Sequence, residues 1–162
     1  MLIGDYDVSR LLPHGYDIAS AFDVLYHIVD DKRYLKAIKN IHSLLRPNGI
    51  FVFSENFVHG DAIRGIHQVS RPLSIIEKML IRNGFEIVER FPMFILMNTP
   101  LDTTEPLIRL IWGFISSTVQ YSEKAGMVIG GILYPLELLL LLLLKDGPST
   151  EIMMFKKTNL IE

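Results

Sequence analysis

The hydrophobic pattern changes period twice between Tyr16 and Asn56. Tyr16 to Ala21 is a short, mostly apolar run closed by Phe22-Asp23, as expected of a strand that ends in a polar turn. Asp30 and Asp31 then stand where a helix is capped. From about Lys32 to Leu45 the residues Tyr34, Leu35, Ile38, Ile41 and Leu45 recur at helical spacing on one face. Pro47-Asn48-Gly49 stops that helix. Ile50 to Phe53 is a continuous apolar run, which a parallel strand covered on both faces requires, and it ends in Ser54-Glu55-Asn56. The pattern therefore predicts a βαβ unit with a right-handed crossover.

Beyond it, His59 to Ser70 is polar and irregular. Ser70 is placed to cap a helix carrying Leu73, Ile76, Met79 and Leu80, which Asn83-Gly84 closes. Phe85 to Arg90 alternates apolar and charged positions and reads as a strand. Phe91 to Asn98 is apolar and rich in methionine, Pro100 to Pro106 is a loop, and Leu107 to Val119 is helical and carries the sole tryptophan, Trp112. Asp146-Gly147-Pro148 is a turn before a closing strand, Thr150 to Lys157. Strands separated by helices predict a three-layer α/β sandwich whose last strand, arriving by a tight turn, is antiparallel.

Gly126 to Leu144 is apolar apart from Glu137 and ends in an unbroken leucine run. Its length approaches the roughly 20 residues that a bilayer core needs. Gly130, Gly131 and Pro135 argue instead for a bend followed by a shorter helix from about Pro135 to Leu144, too short to span and packed in the core or on the surface. A peripheral membrane anchor is the alternative.

At 162 residues the chain can bury one sizeable core, and a single domain over residues 1–162 is the expectation. A formal charge of −2 sets up no strong field for nucleic acid or acidic membranes, so no nucleic-acid partner is expected. The absence of cysteine excludes disulfides and thiolate metal sites. MLIGDYDVS lacks the features of a secretory signal, and a cytoplasmic location follows as the expectation.

Taken in order, several segments resemble the carboxyl-terminal part of a class I S-adenosylmethionine-dependent methyltransferase. YDIASAFDVLYHIVD resembles the family's fourth strand and following loop, and RPNGIFVFSEN its fifth strand. MLIRNGFEIVERFPMF is similar to its later helix and sixth strand, and LYPLELLLLLLLKDGPST with GPSTEIMMFKK to its last helix and final antiparallel strand. The resemblance implies a partial Rossmann-like sandwich, mostly parallel, with an antiparallel last strand. It also implies a glycine-rich turn and an acidic residue for the cofactor, and neither occurs in this sequence. The chain alone is therefore expected to bind S-adenosylmethionine weakly or not at all. In the family the first strand lies beside the fourth, so Tyr16 to Ala21 is expected as a sheet edge open to self-association or to a separate amino-terminal half.

The candidate site residues fall at the carboxyl ends of the two parallel strands, where ligands bind in such sheets. By resemblance Asp5 matches the acidic residue that accepts from the adenine amino group, and Phe22 and Asp23 line the cofactor beside the substrate. Asp23 alternatively caps the next turn. His27 is either a general base for an oxygen or nitrogen nucleophile or a structural histidine. Glu55 and Asn56 point to the same crevice, Glu55 as a catalytic candidate and Asn56 as an orienter of a small-molecule acceptor, or else lie in a solvated loop. His67, Gln68 and Arg71 either hold an acceptor's carboxylate or bridge a loop to the sheet. Met93, Phe94, Met97 and Trp112 line a substrate pocket or belong to the core. His59, Asp61 and His67 fit no metal-ligand spacing, so no metal is expected.

Overall fold

The computed structural model describes residues 14–158, which form two compact units. One comprises the described residues up to 90 together with 152–158; the other is Phe91–Glu151.

The chain runs through β1 (Tyr16–Ala21), a short 3-10 turn (Leu25–His27), α1 (Asp31–Leu44), β2 (Leu45–Asn56), β3 (Ile63–Arg64), β4 (Val69–Ser70) and α2 (Leu73–Arg82). It continues through β5 (Phe85–Pro92), α3 (Pro106–Tyr121), α4 (Glu123–Leu143) and β6 (Thr150–Lys157). A four-stranded sheet has the order β1-β2-β6-β5. Its β1–β2 pair is parallel and the other pairings are antiparallel, so the last strand is antiparallel as anticipated. Ile18 to Ala21 pair in register with Ile50 to Phe53, which brings the carboxyl ends of both strands to one edge.

The α1 helix forms close to where the pattern placed it, but it ends at Leu44 and β2 follows at once, so Pro47-Asn48-Gly49 lies within the strand instead of stopping the helix. Asp30 accepts from the Arg33 backbone N–H at 2.8 Å, satisfying one orphan donor of the first turn. Tyr34, Ala37, Ile38 and Ile41, spaced three and four apart, are all buried. They meet Phe51 and Phe53 of β2 and Met153 and Phe155 of β6 in one apolar cluster. Phe53 is the hub of the aromatic packing, stacked on Phe51 at 4.8 Å and on Phe155 at 6.0 Å between ring centroids. Burying each such ring contributes roughly 1.5–3 kcal/mol.

Three other local expectations are corrected. Ser70 does not cap α2: it is buried in β4, and the helix begins at Leu73 with no side-chain cap. The cause is Pro72, whose ring keeps Arg71 out of helical geometry, so the helix starts only after it. The segment from His59 to Ser70 is less irregular than its composition suggests. It folds into an antiparallel pair closed by the Gly65 N–H on the Gln68 carbonyl at 2.8 Å.

The third correction is the leucine segment, which is one continuous helix from Glu123, not a short one from Pro135. Ser122 caps it by accepting from the Ala125 N–H. Pro135 removes a single backbone donor, and the flanking leucines, strong helix formers, carry the helix through. In the second unit α3 and α4 form a hairpin joined at Ser122. The helices approach closely at Gly126, where a Cβ would stand 2.8 Å from Val119 Cγ2 and force it to shift.

Candidate functional site at the ends of the parallel strands

At the shared edge, β1 ends on Ala21 opposite Phe53. Immediately beyond, Asp23 adopts a left-handed conformation, φ 52°, which aspartate tolerates better than most residues. Two reciprocal bonds hold it. The Asp23 N–H donates to Ser54 Oγ at 2.8 Å, and the Ser54 hydroxyl donates to Asp23 Oδ1 at 3.0 Å. The two strand ends are thereby tied together while the Phe22 and Asp23 side chains remain exposed. Asp23 makes no side-chain cap on the following 3-10 turn.

His27 ends that turn with its ring exposed, 4.3 Å from the ring of Tyr26. Its Nδ1 lies 2.9 Å from the His67 carbonyl oxygen. A carbonyl can only accept, so Nδ1 carries the proton and the neutral ring keeps its lone pair on Nε2. His67 therefore meets His27 through its backbone, with an exposed side chain.

Glu55 lies in the interior, fully buried, although it adjoins the exposed edge in sequence. Tyr34 Oη donates to its Oε2 at 2.6 Å. Arg71, also buried, places Nη1 3.7 Å from Oε1, an ion pair too long for a hydrogen bond. Burial pushes the Glu55 carboxyl up to about 7 against the opposing pull of Tyr34 and Arg71. Burial and the neighbouring Glu55 likewise hold the Tyr34 phenol well above its ordinary value.

Arg71 Nη1 makes no hydrogen bond, but the rest of the guanidinium is engaged by other partners. Its Nη2 donates to the Ile28 carbonyl at 2.7 Å and to Asp31 Oδ1 at 3.0 Å, and Nε donates to the same Asp31 oxygen at 3.1 Å. The guanidinium also stacks 4.0 Å above the Tyr34 ring centroid. Of its two sequence readings, the bridge from loop to sheet matches these contacts. Arg64 reaches the other Asp31 oxygen at 2.6 Å. Burial alone would raise Asp31, but the bonds from Arg64 and Arg71 outweigh it and hold the carboxyl below its ordinary range.

The structure thus places Phe22, Asp23 and His27 on the segment that leaves β1, and Glu55 and Asn56 as the last two residues of β2, Glu55 buried and Asn56 half-buried. Asp5 lies outside the described residues. Sequence reasoning missed Tyr34, Asp31 and Ser54 as partners in this network. A tyrosine on the buried stripe of α1 was the available signal, since its hydroxyl needs an acceptor once covered. Among the described residues no three His, Asp or Glu side chains are grouped to hold a metal ion.

No family model matches the sequence, and no curated protein does. Solved structures do match in fold. Phosphoethanolamine N-methyltransferase 2 of Haemonchus contortus, in complex with S-adenosyl-L-methionine, superposes with a TM-score of 0.55 and 16% identity over 97% of this chain and 36% of that one. The O-methyltransferase of a Brevibacillus brevis polyketide multienzyme gives 0.54 and 16% over 91% of this chain and 46% of that one. The cyclase SpnF gives 0.52 and 15% over 98% and 54%. The chain thus spans about half the length, or less, of these structures. A cyclase beside two methyltransferases shows that the scaffold does not by itself fix the reaction. What the likeness fixes is architecture: the described residues carry part of the class I S-adenosylmethionine-dependent methyltransferase fold.

Proposed function

We propose that this chain supplies the acceptor side, and the rim of the cofactor site, of a cytoplasmic methyltransferase acting on a small molecule. The observation that carries the reading is the Asp23–Ser54 clasp, which presents a carboxylate and an exposed aromatic ring where two parallel strands end. That pair suits a cationic sulfonium with an apolar surround, so Phe22 and Asp23 are the residues that would hold S-adenosylmethionine. When bound, the cofactor supplies the methyl group. His27, with Nδ1 held by the His67 carbonyl, offers Nε2 to take the proton of an oxygen or nitrogen nucleophile. Asn56 orients the acceptor from the end of β2.

Glu55 acts in this reading as a positioning residue. It is sealed from solvent, and through Tyr34 and Arg71 it fixes the end of β2 against α1 and the segment entering α2. Arg71 shares that role, and His67 acts through its carbonyl. Rate in such a reaction comes mainly from alignment, so a rigid strand end matters more than an added acid or base.

The chain alone should hold the cofactor weakly, because the residues matching the family are those of the rim. Saturation-transfer NMR detects such binding. Irradiating the folded chain should transfer signal to the methyl and adenosyl protons of S-adenosylmethionine, and Phe22→Ala should abolish the transfer. No transfer at millimolar ligand would contradict the site, and micromolar affinity in calorimetric titration would contradict weak binding.

A second reading is a non-catalytic interaction piece. It is favoured by the position of β1, which among the described residues pairs only with β2 and exposes Tyr16 and Ile18. This edge would pair with a second copy or with a separate amino-terminal half. A clean monomer at high concentration in light scattering would rule out the self-pairing form, and an inert response to a separately made amino-terminal half would rule out the other.

A further inference from the structure

We propose that the α3–α4 hairpin docks on a lipid bilayer, its outer face lowered among the acyl chains and its axis near the membrane plane. The inference is independent of the methyltransferase reading.

Helix α4 is apolar on all sides, a composition found in protein cores or in contact with lipid. It is not in a core. Only 6% of its most apolar 18-residue window is buried among the described residues, and Met127, Ile132, Leu139, Leu142 and Leu143 stand exposed. Helix α3 adds Leu110 and Phe114. Exposed apolar residues in such density mark an interaction surface.

Charge is removed from this surface by design of the local fold. Between Leu110 and Leu144 the charged residues are Glu123 and Lys124, at the hairpin tip, and Glu137. Glu137 is turned inward and buried, its two carboxylate oxygens accepting from the backbone N–H groups of Ile95 and Leu96 at 2.7 and 2.8 Å. Charge flanks this stretch, with Arg109 before it, Glu123 and Lys124 at the tip, and Lys145 and Asp146 after it. A helix of 21 residues is about 31 Å long, so charges at both ends can stay at headgroup level when the hairpin lies flat.

A lipid surface fits better than a protein. Protein interfaces carry about one hydrogen bond per 100–200 Å², and the aliphatic side chains exposed here offer no donor or acceptor. Apolar helices that pair with a second copy commonly do so through small residues. Of the glycines on the hairpin, Gly126 faces Val119 and Gly130 lies within 3.7 Å of Met97 for an added Cβ, while Gly113 and Gly131 face open space. The outward side chains of α4 are mostly bulky and apolar, Met127, Ile132, Leu139 and Leu142 among them. Between the helices an open groove of about 390 Å³ is lined wholly by apolar residues, Leu110, Phe114, Ile129, Ile132 and Leu136 among them. Such a slot suits a hydrocarbon chain.

The test uses the full chain with vesicles of zwitterionic phosphatidylcholine, some carrying brominated acyl chains. The chain should float with neutral vesicles equally at low and high salt, and fluorescence of Trp112, the sole tryptophan, should be quenched by the bromines. Leu139→Lys combined with Leu142→Lys, at exposed positions, should lower partitioning about tenfold or more while leaving the far-ultraviolet circular dichroism unchanged. Three results would overturn the proposal: no flotation, salt-sensitive binding to anionic vesicles only, or equal flotation of the double variant. So would an unquenched Trp112 in a protein that light scattering shows to be a dimer, since the face would then belong to a second copy.

Discussion

The hydroxyl of Tyr34 on α1 reaches across the interior to Glu55 at the end of β2, donating to Oε2 at 2.6 Å. Both residues are fully buried, so neither can exchange this bond for one to water. Tyr34→Phe keeps the ring and its stacking with Arg71 but leaves a buried carboxyl without its donor. The variant should lose about 1–3 kcal/mol of stability in urea unfolding. An unchanged midpoint would mean that the bond contributes nothing to the fold.

The pH dependence follows from the same carboxyl. Its ordinary value is 4.5 and its folded value about 7, so between these limits the folded state binds the extra proton. Stability is therefore fully present below about pH 4.5 and falls as pH rises to about 7, by about 3 kcal/mol from this group. His42, which burial holds below its ordinary 6.5, contributes a slope of the opposite sign below that pH. The difference between the wild type and Glu55→Gln isolates the Glu55 contribution. Urea midpoints should converge at low pH, and the glutamine variant should be the more stable at pH 8.

Removing Arg71 should be harsher than removing either carboxylate partner. Its guanidinium joins Ile28, Asp31 and Glu55 and covers Tyr34, so Arg71→Ala strands a buried carboxylate and a carbonyl together. A loss of about 3–5 kcal/mol is expected. Arg71→Lys should recover little of it, because an ammonium cannot reproduce the forked contact to Asp31 while lying flat on the ring.

Gly84 closes α2 at φ +83°, where a side chain is strained, and an added Cβ would stand 2.7 Å from His42 Nε2. Gly84→Ala should cost about 1 kcal/mol or more, visible as a lower melting temperature. Restoring stability by a second change, His42→Ala, would locate the clash; no recovery would assign the whole cost to backbone strain.

Strands β1, β5 and β6 were legible because their signals are local. Thr150 to Lys157 follows the Asp146-Gly147-Pro148 turn as the expected closing strand, and it is β6 with the same bounds. The stripe of α1 was legible for the same reason, with Asp30 as its cap. The direction of Glu55 was not, since Phe53, Ser54 and Glu55 are all buried, leaving no alternation to show which face a side chain takes. Its partners lie sixteen and twenty-one residues away in sequence, at Arg71 and Tyr34. The α4 start was misread because two glycines and a proline speak locally for a bend, whereas the Ser122 cap and packing against α3 decide the helix.

Amide chemical shifts of the isotope-labelled chain during titration with S-adenosylhomocysteine test the proposed site most directly. Shifts should concentrate on Phe22 to His27 and on Ser54 to Phe57, remain unsaturated at millimolar ligand, and vanish in the Asp23→Asn, Phe22→Ala double variant. Shifts confined to other segments, or none at all, would contradict a cofactor rim at the ends of β1 and β2.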